Sequence, residues 1–422
     1  MADLIQVIRG MHDILPTDMP VWNQVEDEYR RLAESYGYRQ IRTPILEKSA
    51  LFQRSIGEAT DIVEKEMYSF DDRNGDSLSL RPENTAGVVR AGLQNGLFNG
   101  QHQRLWYCGP MFRHERPQKG RYRQFYQLGA EAFGMADADI EAELIFLAAR
   151  FWKVLGLDNI SLQINTLGNS ECRSRYREIL VSYFRDHSAA LDDDSLRRLE
   201  TNPLRILDSK NPDMQALIED APTLTQHLDP QSEEHFSSLM DILDYAQVSY
   251  EVNPRLVRGL DYYSHSVFEW VTDTLGAQGT VCAGGRYDGL VEQLGGRADY
   301  AAGFAIGCER LIAMIIDQNQ AQKQQNCDVY FLVQGEGSVR VAHKVAEGLR
   351  DKLPQLSMVV HADGGSFKSQ MRKAHKSGAK LALILGESEI ESGNVSIKYL
   401  REDVAQIEIA QTDLPGKLAQ LI

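Results

Sequence analysis

A strongly basic loop between two strand patterns most constrains how this chain can fold. Residues 112–125 contain four arginines and one lysine against a single glutamate, in a protein of formal net charge −15. The apolar patterns at 105–108 and 125–128 favour β-strands, so the loop is predicted to join a long hairpin. Guanidinium groups pair bidentately with phosphate oxygens, so the loop suits a polyphosphate or a nucleic-acid end. The alternative is a solvated basic surface loop.

Composition restricts the class of protein. A chain of 422 residues with 43% hydrophobic and 25% charged residues is typical of a soluble protein of two or three domains. Its longest apolar runs are too short to span a bilayer, and its first residues lack a signal-peptide pattern, so we expect no membrane association and a cytoplasmic location. The five cysteines form no Cys-x-x-Cys pair, which favours reduced thiols over a metal site. An acidic pI near 5.2 argues against indiscriminate nucleic-acid binding but allows a specific RNA partner.

The first three quarters of the chain read as a sheet-forming domain with a helical interruption. Periodicity predicts helices at 20–36, near 85–92 and at 137–155. Strands are predicted at 38–42 and 160–164, and strand signals dominate 65–134. Helical pieces separated by prolines occupy about 172–245, where acidic residues outnumber basic ones. Strand signals and glycine-rich turns resume at 256–307, so the helical segment is predicted to be an insertion within the sheet.

The last hundred residues predict a separate small domain. Residues 318–326 form a polar segment typical of a linker. Beyond it, short apolar strands alternate with helical patterns, which indicates a βαβαβ arrangement. The predicted strands are 329–333, 358–360, 381–385 and 395–400, and the predicted helices are 338–352, 366–377 and 412–422.

Three long segments together carry a family resemblance. The arginine-bearing hairpin resembles the signature of class II aminoacyl-tRNA synthetases. The peptides LVRGLDYY (256–263) and AGGRYDGL (283–290) resemble those of bacterial-type histidyl-tRNA synthetases. The similarity runs from Arg9 over essentially the whole chain. It implies an α+β catalytic domain on a mostly antiparallel class II sheet with a helical insertion, then a C-terminal α/β anticodon-binding domain. The implied domains are 1–325, with the insertion at about 172–245, and 327–422.

The chemistry of amino-acid activation explains why such a family needs arginines. A carboxylate attacks the α-phosphate of ATP, which requires positioning and charge neutralisation more than a dedicated base. The resemblance implies ATP as a substrate with Mg²⁺, no tightly bound cofactor and no protein-held metal. Phe125 and Arg310 would hold the two faces of adenine, although Arg310 could instead be structural. By the resemblance, the catalytic cations are Arg113 and Arg258, and the ATP-binding residues are Arg113, Glu115, Arg121, Phe125 and Arg310.

Recognition of histidine needs an anion for the ammonium group and polar partners for the imidazole nitrogens. Gln127 and Glu131 lie four residues apart in a predicted strand and so share one face. Glu131 could instead pair with a nearby arginine. The glycine-rich segment 279–296 is interpreted as a wall of the histidine pocket, with a plain hairpin as the alternative. The resemblance assigns histidine binding to Glu83, Thr85, Gln127, Glu131, Arg258, Tyr262 and Tyr263.

Two positions need separate comment. Arg258 is predicted to lie in an apolar strand, where an unpaired guanidinium is costly to bury. The resemblance places it on the α-phosphate, and the alternative is a salt bridge to Asp261 or another acid. Asn84 stands where glycine is common in the family, so the backbone freedom of the 81–85 loop is expected to differ.

The resemblance also implies macromolecular partners. Arg116, Gln118 and Arg123 would contact the acceptor end of tRNA(His), and the C-terminal domain would read single-stranded anticodon bases. The family's insertion helps to hold the acceptor arm, a role that the acidity of this segment does not favour. The pattern at 20–44 resembles the class II dimer-interface element, so a homodimer is expected. An ordinary core helix and strand is the alternative.

The function implied is a histidine–tRNA ligase, which activates histidine with ATP to histidyl-adenylate and transfers it to the 3′ end of its tRNA. One rival is a histidine-binding regulatory subunit of ATP phosphoribosyltransferase. Such paralogues usually lack the C-terminal domain and the ATP-binding arginines, and both features are predicted here. A stress-sensor module that binds uncharged tRNA is disfavoured because no kinase-like segment is present. A synthetase for another amino acid is disfavoured by the two histidyl-type peptides.

Overall fold

The chain forms two compact units, Met1–Ala321 and Gln322–Ile422, each built around hydrophobic clusters of its own. The computed structural model describes residues 4–57, 60–118, 120–207, 209, 211–274, 279–318 and 327–422. Apart from Gln318, the predicted linker lies outside the described residues.

The elements of the first unit alternate between strands and helices until a purely helical stretch begins. In chain order they are α1 (Met19–Ser35), β1 (Arg39–Gln40), β2 (Leu46–Lys48), α2 (Ser49–Ile56), β3 (Tyr68–Asp71), β4 (Ser77–Leu80), α3 (Thr85–Gln94), β5 (Gln103–Phe112), β6 (Gln124–Phe133), α4 (Asp139–Val154) and β7 (Ser161–Thr166). A π-helical turn occupies Ile62–Glu66, so Lys65 lies outside the strand predicted to begin there. The other predicted helices and strands of this stretch are confirmed, although β1 is shorter than predicted.

The predicted helical insertion is helical in the structure. It contains α5 (Ser170–Asp186), α6 (Asp193–Thr201), α7 (Gln215–Asp220) and α8 (Pro230–Tyr245), with 3-10 turns at Ser188–Ala190, Pro203–Ile206, Pro212–Met214 and Leu224–His227. Side chains such as Tyr176, Leu180 and Phe184 on α5 are buried in one cluster with residues of the segment 256–263. The insertion therefore packs against the segment that follows it.

Strands return after the insertion as β8 (Glu251–Val252), β9 (Ser264–Val271), β10 (Thr280–Arg286) and β11 (Ala301–Gly307), with the helices α9 (Gly289–Gln293) and α10 (Cys308–Asp317). The prediction that Arg258 lies in a strand is wrong. Residues 253–263 form an irregular loop, because the ladder to β10 begins only at Ser264.

The main sheet is mostly antiparallel, as predicted. Among the described residues its strand order is β1-β5-β6-β11-β10-β9-β7-β8. Every pairing from β5 to β7 is antiparallel, and only the edge strands β1 and β8 pair in parallel. A smaller sheet of order β2-β4-β3 carries the chain into the 81–85 loop.

The predicted long hairpin is confirmed. Strands β5 and β6 pair along their full lengths, from Gln103 opposite Phe133 to Phe112 opposite Gln124. Their far halves are buried in the core, whereas the half of β6 nearest the basic loop is only partly buried. The hairpin thus anchors the basic loop on a rigid base and leaves its tip accessible.

Helix α1 buries its apolar stripe inside its own chain. Val25, Tyr29 and Ala33 are fully buried, and the Tyr29 ring packs edge-on against Trp106, Phe151 and Phe304. This packing agrees with the ordinary-core alternative for the helix. The strand β1 that follows it is exposed at an edge of the main sheet.

The second unit is an α/β domain. It contains β12 (Val329–Val333), α11 (Ser338–Lys352), β13 (Met358–Val360), α12 (Phe367–Lys376), β14 (Leu381–Leu385), α13 (Glu387–Ser392), β15 (Asn394–Tyr399), β16 (Ile407–Ala410) and α14 (Leu414–Leu421). Its sheet has the order β13-β12-β14-β15-β16, in which the first three strands are parallel. The βαβαβ prediction is confirmed. Helix α13 and strand β16 were not predicted: α13 contains Ile390 as its single apolar residue, and β16 is only four residues long.

Candidate active site

A cleft of about 190 Å³ opens where the arginine hairpin, the 81–85 loop, the 253–263 loop and the ends of β10 and β11 meet. Every residue predicted to bind ATP lines it. The residues predicted to bind histidine also line it, except Glu131, which lies behind its wall. The shared lining comprises Glu83, Thr85, Arg113, Glu115, Arg121, Phe125, Gln127, Arg258, Tyr262, Tyr263 and Arg310.

Two arginines of the cleft donate hydrogen bonds to backbone carbonyls. Arg113 Nε donates to the Pro82 carbonyl at 2.9 Å, and Arg310 Nε donates to the Gly120 carbonyl at 3.2 Å. Burial lowers the pKa of both guanidinium groups, to about 10 for Arg310, where Arg121 and Arg113 add repulsion. The hydrogen bonds to the main chain fix the position of both guanidinium groups at the wall of the cleft.

The Glu115 carboxylate lies close to two arginines of the hairpin. It forms an ion pair with Arg121 and lies 3.9 Å from Arg113 Nη1. Arg113 in turn places its Cζ 5.3 Å from the centre of the Phe125 ring. The hairpin therefore presents cations and an aromatic surface side by side, a combination suited to a nucleotide.

Arg258 both pairs with an acid and faces the cleft. Its guanidinium forms an ion pair with Glu269 of β9, not with Asp261, and its Cζ lies 5.5 Å from the Tyr263 ring centre. Its Nε is buried without a hydrogen-bond partner among the described residues. Such an orphaned donor costs free energy unless a ligand satisfies it. The salt-bridge alternative is thus correct for one side of the guanidinium and leaves the other side available.

The same cleft also contains hydrogen-bond acceptors. The Glu83 carboxylate accepts hydrogen bonds from the backbone nitrogens of Thr85 and Ala86, at 2.6 and 3.0 Å. Burial raises its pKa, and these two bonds oppose the shift. Gln127 Oε1 is buried without a partner among the described residues. A carboxylate beside an unsatisfied amide oxygen is a suitable place for an ammonium group.

Glu131 is fully buried and surrounded by hydroxyl groups. It accepts hydrogen bonds from Thr85 Oγ1 at 2.7 Å, Tyr287 Oη at 2.5 Å and Tyr107 Oη at 3.3 Å. Burial raises the pKa of its carboxyl to about 8, and the bonds from Tyr287 and Thr85 limit that rise. All of these donors are hydroxyls, which disagrees with the alternative that Glu131 pairs with an arginine.

The glycine-rich segment contributes in two ways. Residues Thr280 to Ala283 of β10 line the cleft, in agreement with the interpretation of a pocket wall. Arg286 does not line it. It is buried behind the wall, paired with Glu141, and lies 3.3 Å from Asp288. The strand thus forms the wall, and its arginine fixes the strand to α4.

Asn84 is accommodated without backbone strain. Its φ of −119° is ordinary for any residue, so the loop does not require glycine here. Its Oδ1 accepts hydrogen bonds from Arg81 Nη1 at 3.1 Å and from Thr43 Oγ1 at 2.5 Å. The expectation of altered loop freedom is therefore replaced by a finding: Asn84 fixes the loop that positions Glu83.

The residues predicted to contact the tRNA acceptor end lie outside the cleft, in the basic loop. Arg116 and Gln118 are exposed, and Gln118 forms a bridge with Arg121 across the loop. Arg123 is half-buried, and its guanidinium donates to the carbonyls of Glu115 at 3.2 Å and Arg9 at 3.3 Å. Lys119 lies outside the described residues. Arg123 is therefore committed to holding the loop, while the other two face solvent.

Sequence reasoning missed Glu309. Its carboxylate lines the cleft and accepts from the Tyr126 backbone nitrogen at 2.9 Å. Burial raises its pKa to about 7. The signal was its position, because it immediately precedes Arg310 at the start of α10.

Leu260 also lines the cleft and was not predicted, whereas Cys282 falls within the segment that was predicted to form the pocket wall. Nothing in the local sequence of Leu260 distinguishes it from a core residue.

The described residues contain no group of three or more His, Cys, Asp or Glu side chains able to hold a metal ion. No helix in the described part of the chain is long and apolar enough to cross a membrane.

Comparisons with known proteins agree with this geometry. A family model described as histidyl-tRNA synthetase matches residues 10–311, and one described as an anticodon-binding domain matches residues 328–421. The apo histidyl-tRNA synthetase of Staphylococcus aureus superposes with a TM-score of 0.83 at 32% identity, covering 98% of this chain and 99% of that one.

More distant structures share the fold alone. The Nostoc histidyl-tRNA synthetase has 18% identity and a TM-score of 0.70, covering 99% of this chain and 100% of that one. A Bacillus halodurans protein titled ATP phosphoribosyltransferase regulatory subunit/histidyl-tRNA synthetase has 21% identity and a TM-score of 0.65, covering 92% and 99%.

Proposed function

The chain belongs to the histidyl-tRNA synthetase family and is a histidine–tRNA ligase, and we propose that both steps of that reaction take place in the cleft between Arg113 and Arg258. In the first step a carboxylate oxygen of histidine forms a bond to the α-phosphorus of ATP, and the bond to pyrophosphate breaks. In the second step a terminal ribose hydroxyl of the tRNA attacks the carbonyl carbon, and AMP leaves. The observation that carries the proposal is the convergence of cations and histidine-type acceptors in one cleft.

The arginines of the cleft bind the triphosphate of ATP. Arg113 and Arg258 lie where charge develops on the α-phosphate, and Arg121 and Arg310 neutralise the outer phosphates or close over the base. Rigid guanidinium groups suit this task because they are oriented before the reaction begins. The Phe125 ring offers the aromatic surface for adenine. Arg258 Nε, buried without a partner among the described residues, supports a direct contact with the reacting groups.

Histidine binds to the carboxylate and amide side chains of the cleft. Glu83 and the unsatisfied Oε1 of Gln127 fit the ammonium group, and Tyr263 fits the imidazole. Glu131, behind the wall of the cleft, acts on the pocket through its hydrogen bond from Thr85 Oγ1. Thr85 and Tyr262 complete the lining. A pocket that buries polar groups rejects apolar isosteres, because they would leave those groups unpaired.

Mg²⁺ would enter with ATP. Glu115 and Glu309 both line the cleft, and carboxylate oxygens are ligands that Mg²⁺ accepts. Two carboxylates fit an ion held mainly by phosphate oxygens and water, not a permanent protein site. When bound, the ion neutralises phosphate charge. The arginines position the nucleotide, and Glu309 keeps its hydrogen bond from the Tyr126 backbone nitrogen.

The exposed basic loop and the second unit would contact tRNA. Arg116 and Gln118 are free of the cleft lining and exposed, so they can reach the acceptor end, while Arg123 shapes the loop. The C-terminal anticodon-binding domain would read the anticodon of tRNA(His).

We further propose a homodimer that works in the cytoplasm. Ile45, Leu46 and Phe70, around the small sheet, are each at least 40% exposed, which is unusual for apolar side chains grouped on one small sheet. The five cysteines form no disulfide in the described part of the chain, which suits a reducing compartment. Leu46→Glu with Phe70→Glu should shift the mass measured by light scattering from dimer to monomer. An unchanged mass would reject this interface.

The residue assignments and the ligase activity are tested together by ATP–pyrophosphate exchange with each of the twenty amino acids, followed by charging of tRNA. We expect exchange with histidine and with none of the other amino acids, and we expect charging of tRNA(His). The rival regulatory subunit would bind histidine but catalyse neither reaction. The structure favours the ligase because Arg113, Arg121, Arg258 and Arg310 all reach one cleft.

A further inference from the structure

The loop that carries Arg258, Tyr262 and Tyr263 lacks regular secondary structure, although its side chains must be placed accurately. A segment without ladder hydrogen bonds keeps its shape only if neighbouring elements hold its backbone. On the cleft side, the ion pair of Arg258 with Glu269 fixes one side chain. The backbone of residues 261–263 is held from the other side.

Arg173, on the first turn of α5 in the helical insertion, reaches across to this loop. Its Nη1 donates to the backbone carbonyl of Tyr263 and lies 3.4 Å from that of Asp261. Burial lowers the pKa of its guanidinium, and the charge of Asp261 opposes that shift. A desolvated cation that donates to two carbonyls on either side of Tyr262 fixes the direction in which Tyr262 and Tyr263 point.

Asp261 ties the same loop to two other segments. Its Oδ1 accepts from Asn202 Nδ2 at 2.8 Å, and its backbone nitrogen donates to the Ile56 carbonyl at 3.1 Å. Its other carboxylate oxygen packs on Gly57, where a Cβ would overlap it, and where a φ of +101° also favours glycine. Burial raises the pKa of Asp261, and the Asn202 bond and Arg173 oppose the rise.

None of Arg173, Asn202 and Asp261 lines the active-site cleft. They line a second cavity of about 280 Å³ on the far side of the loop, whose wall also includes Arg258 and Leu260. Arg258 and Leu260 thus separate the two cavities. Arg173, Asn202 and Asp261 can therefore affect the reaction only by changing the conformation of the loop.

We propose that Arg173, Asn202 and Asp261 are positioning residues that clamp the histidine-binding loop onto the helical insertion. The clamp sets the affinity for histidine, because it orients Tyr263 and the backbone next to Arg258. It leaves the ATP-binding hairpin unaffected, since the hairpin is anchored by β5 and β6. This inference rests on the proposed roles of Arg258 and Tyr263.

The test compares KM values in histidine-dependent ATP–pyrophosphate exchange. Arg173→Gln removes the charge-assisted bonds, and the KM for histidine is expected to rise about tenfold or more. The KM for ATP should stay unchanged. Arg173→Lys, which keeps one charged donor, should recover part of the affinity. Asn202→Ala should also raise the KM for histidine. It replaces Arg173→Gln as the test variant if Arg173→Gln lowers the melting temperature strongly.

Arg177→Gln is the matched control. Arg177 lies one turn further along α5, lines the same second cavity, and also donates to carbonyls. Its acceptors, Glu200 and Thr201 at 2.9 and 3.0 Å, belong to the insertion and not to the loop. Its substitution should leave both KM values as they are. An equal effect of both variants, or equal increases in the two KM values, would show general destabilisation and overturn the proposal.

Failure of this inference is distinguishable from failure of the proposed function. If Tyr263→Phe and Arg258→Lys impair exchange while folded Arg173→Gln and Asn202→Ala do not, the clamp is wrong and the site assignment stands. If Tyr263→Phe and Arg258→Lys are also without effect, the site assignment fails first.

Discussion

At the scale of single residues, Arg258 shows that a salt bridge is compatible with the proposed catalytic role. One side of its guanidinium meets Glu269, and its Nε is buried without a partner among the described residues. The carboxylate holds the cation in place and removes part of the cost of burying it. The remaining donor is left to meet an anionic ligand. Sequence reasoning treated the two roles as alternatives, whereas the fold allows both.

Arg258→Lys should therefore separate charge from geometry. Lysine can keep the ion pair with Glu269 but loses the planar donor set, so histidine-dependent exchange is expected to slow about 100-fold or more. The melting temperature should change little. Arg104→Lys is the control, because Arg104 makes a two-point pair with Glu143 outside the cleft. Near-normal exchange in Arg258→Lys would contradict the catalytic role.

Glu131 predicts a pH dependence of stability. Its pKa is about 8 in the folded protein and near 4.5 when exposed. Between these values the folded chain holds a proton that the unfolded chain has released, so the free energy of unfolding falls as the pH rises. Glu309, with a pKa of about 7, contributes in the same direction.

The side chain introduced by Glu131→Gln cannot ionise. The variant should therefore lose the part of the pH dependence of stability that Glu131 contributes. Urea denaturation at pH 6 and pH 8 is expected to show a smaller loss of stability for the variant than for the wild type. Some loss should persist because of Glu309. Parallel curves for the two proteins would mean that Glu131 is already ionised in the folded state.

At the scale of elements, the pairing of β6 with β11 determines where Glu131 can lie. The register sets Gly303 opposite Glu131, and a Cβ at Gly303 would overlap the carboxylate and approach the Ala130 carbonyl at 2.6 Å. Because Gly303 of β11 has no side chain, the Glu131 carboxylate on β6 has room beside it.

Gly303→Ala should destabilise the protein by about 1 to 3 kcal/mol, the usual cost of overpacking, and should raise the KM for histidine. Chemical denaturation and pyrophosphate exchange measure the two effects. Gly289→Ala is the control, because a Cβ there meets no atom within 4 Å. Equal stability of the two variants would show that β11 can shift to make room.

Elements differed in how far the sequence predicted them. The hairpin β5–β6 was predicted because the apolar patterns at 105–108 and 125–128 flank the basic loop. Strand signals were predicted to resume at residue 256, with Arg258 among apolar strand residues, but residues 256–263 belong to the 253–263 loop. Those side chains are buried in the structure, yet against the insertion and the cleft and not in a sheet. Apolar periodicity reports burial, and it cannot report which element provides it.

At the scale of the whole molecule, two separate cores imply two units that can be studied apart. The second unit has its own clusters, which include Phe331, Leu383 and Ile397. The cleft is lined entirely by residues of the first unit.

Residues 327–422 expressed alone should therefore unfold cooperatively in a thermal melt. Residues 1–318 should retain histidine-dependent exchange but lose most tRNA charging. Equal loss of exchange and charging in the shorter protein would show that the second unit is needed to complete the cleft.

The sequence alone determined the family, the order of domains and every charged side chain of the cleft except Glu309, because these depend on local patterns and on long motifs. Only the tertiary structure decided which acid pairs with Arg258, that Glu131 is enclosed by three hydroxyls, and that Glu309 belongs to the cleft. It also decided that Arg173 and Asn202 hold the 253–263 loop. Those contacts join residues 11 to 183 positions apart, and their partners are chosen by the packing of elements, which no local pattern encodes.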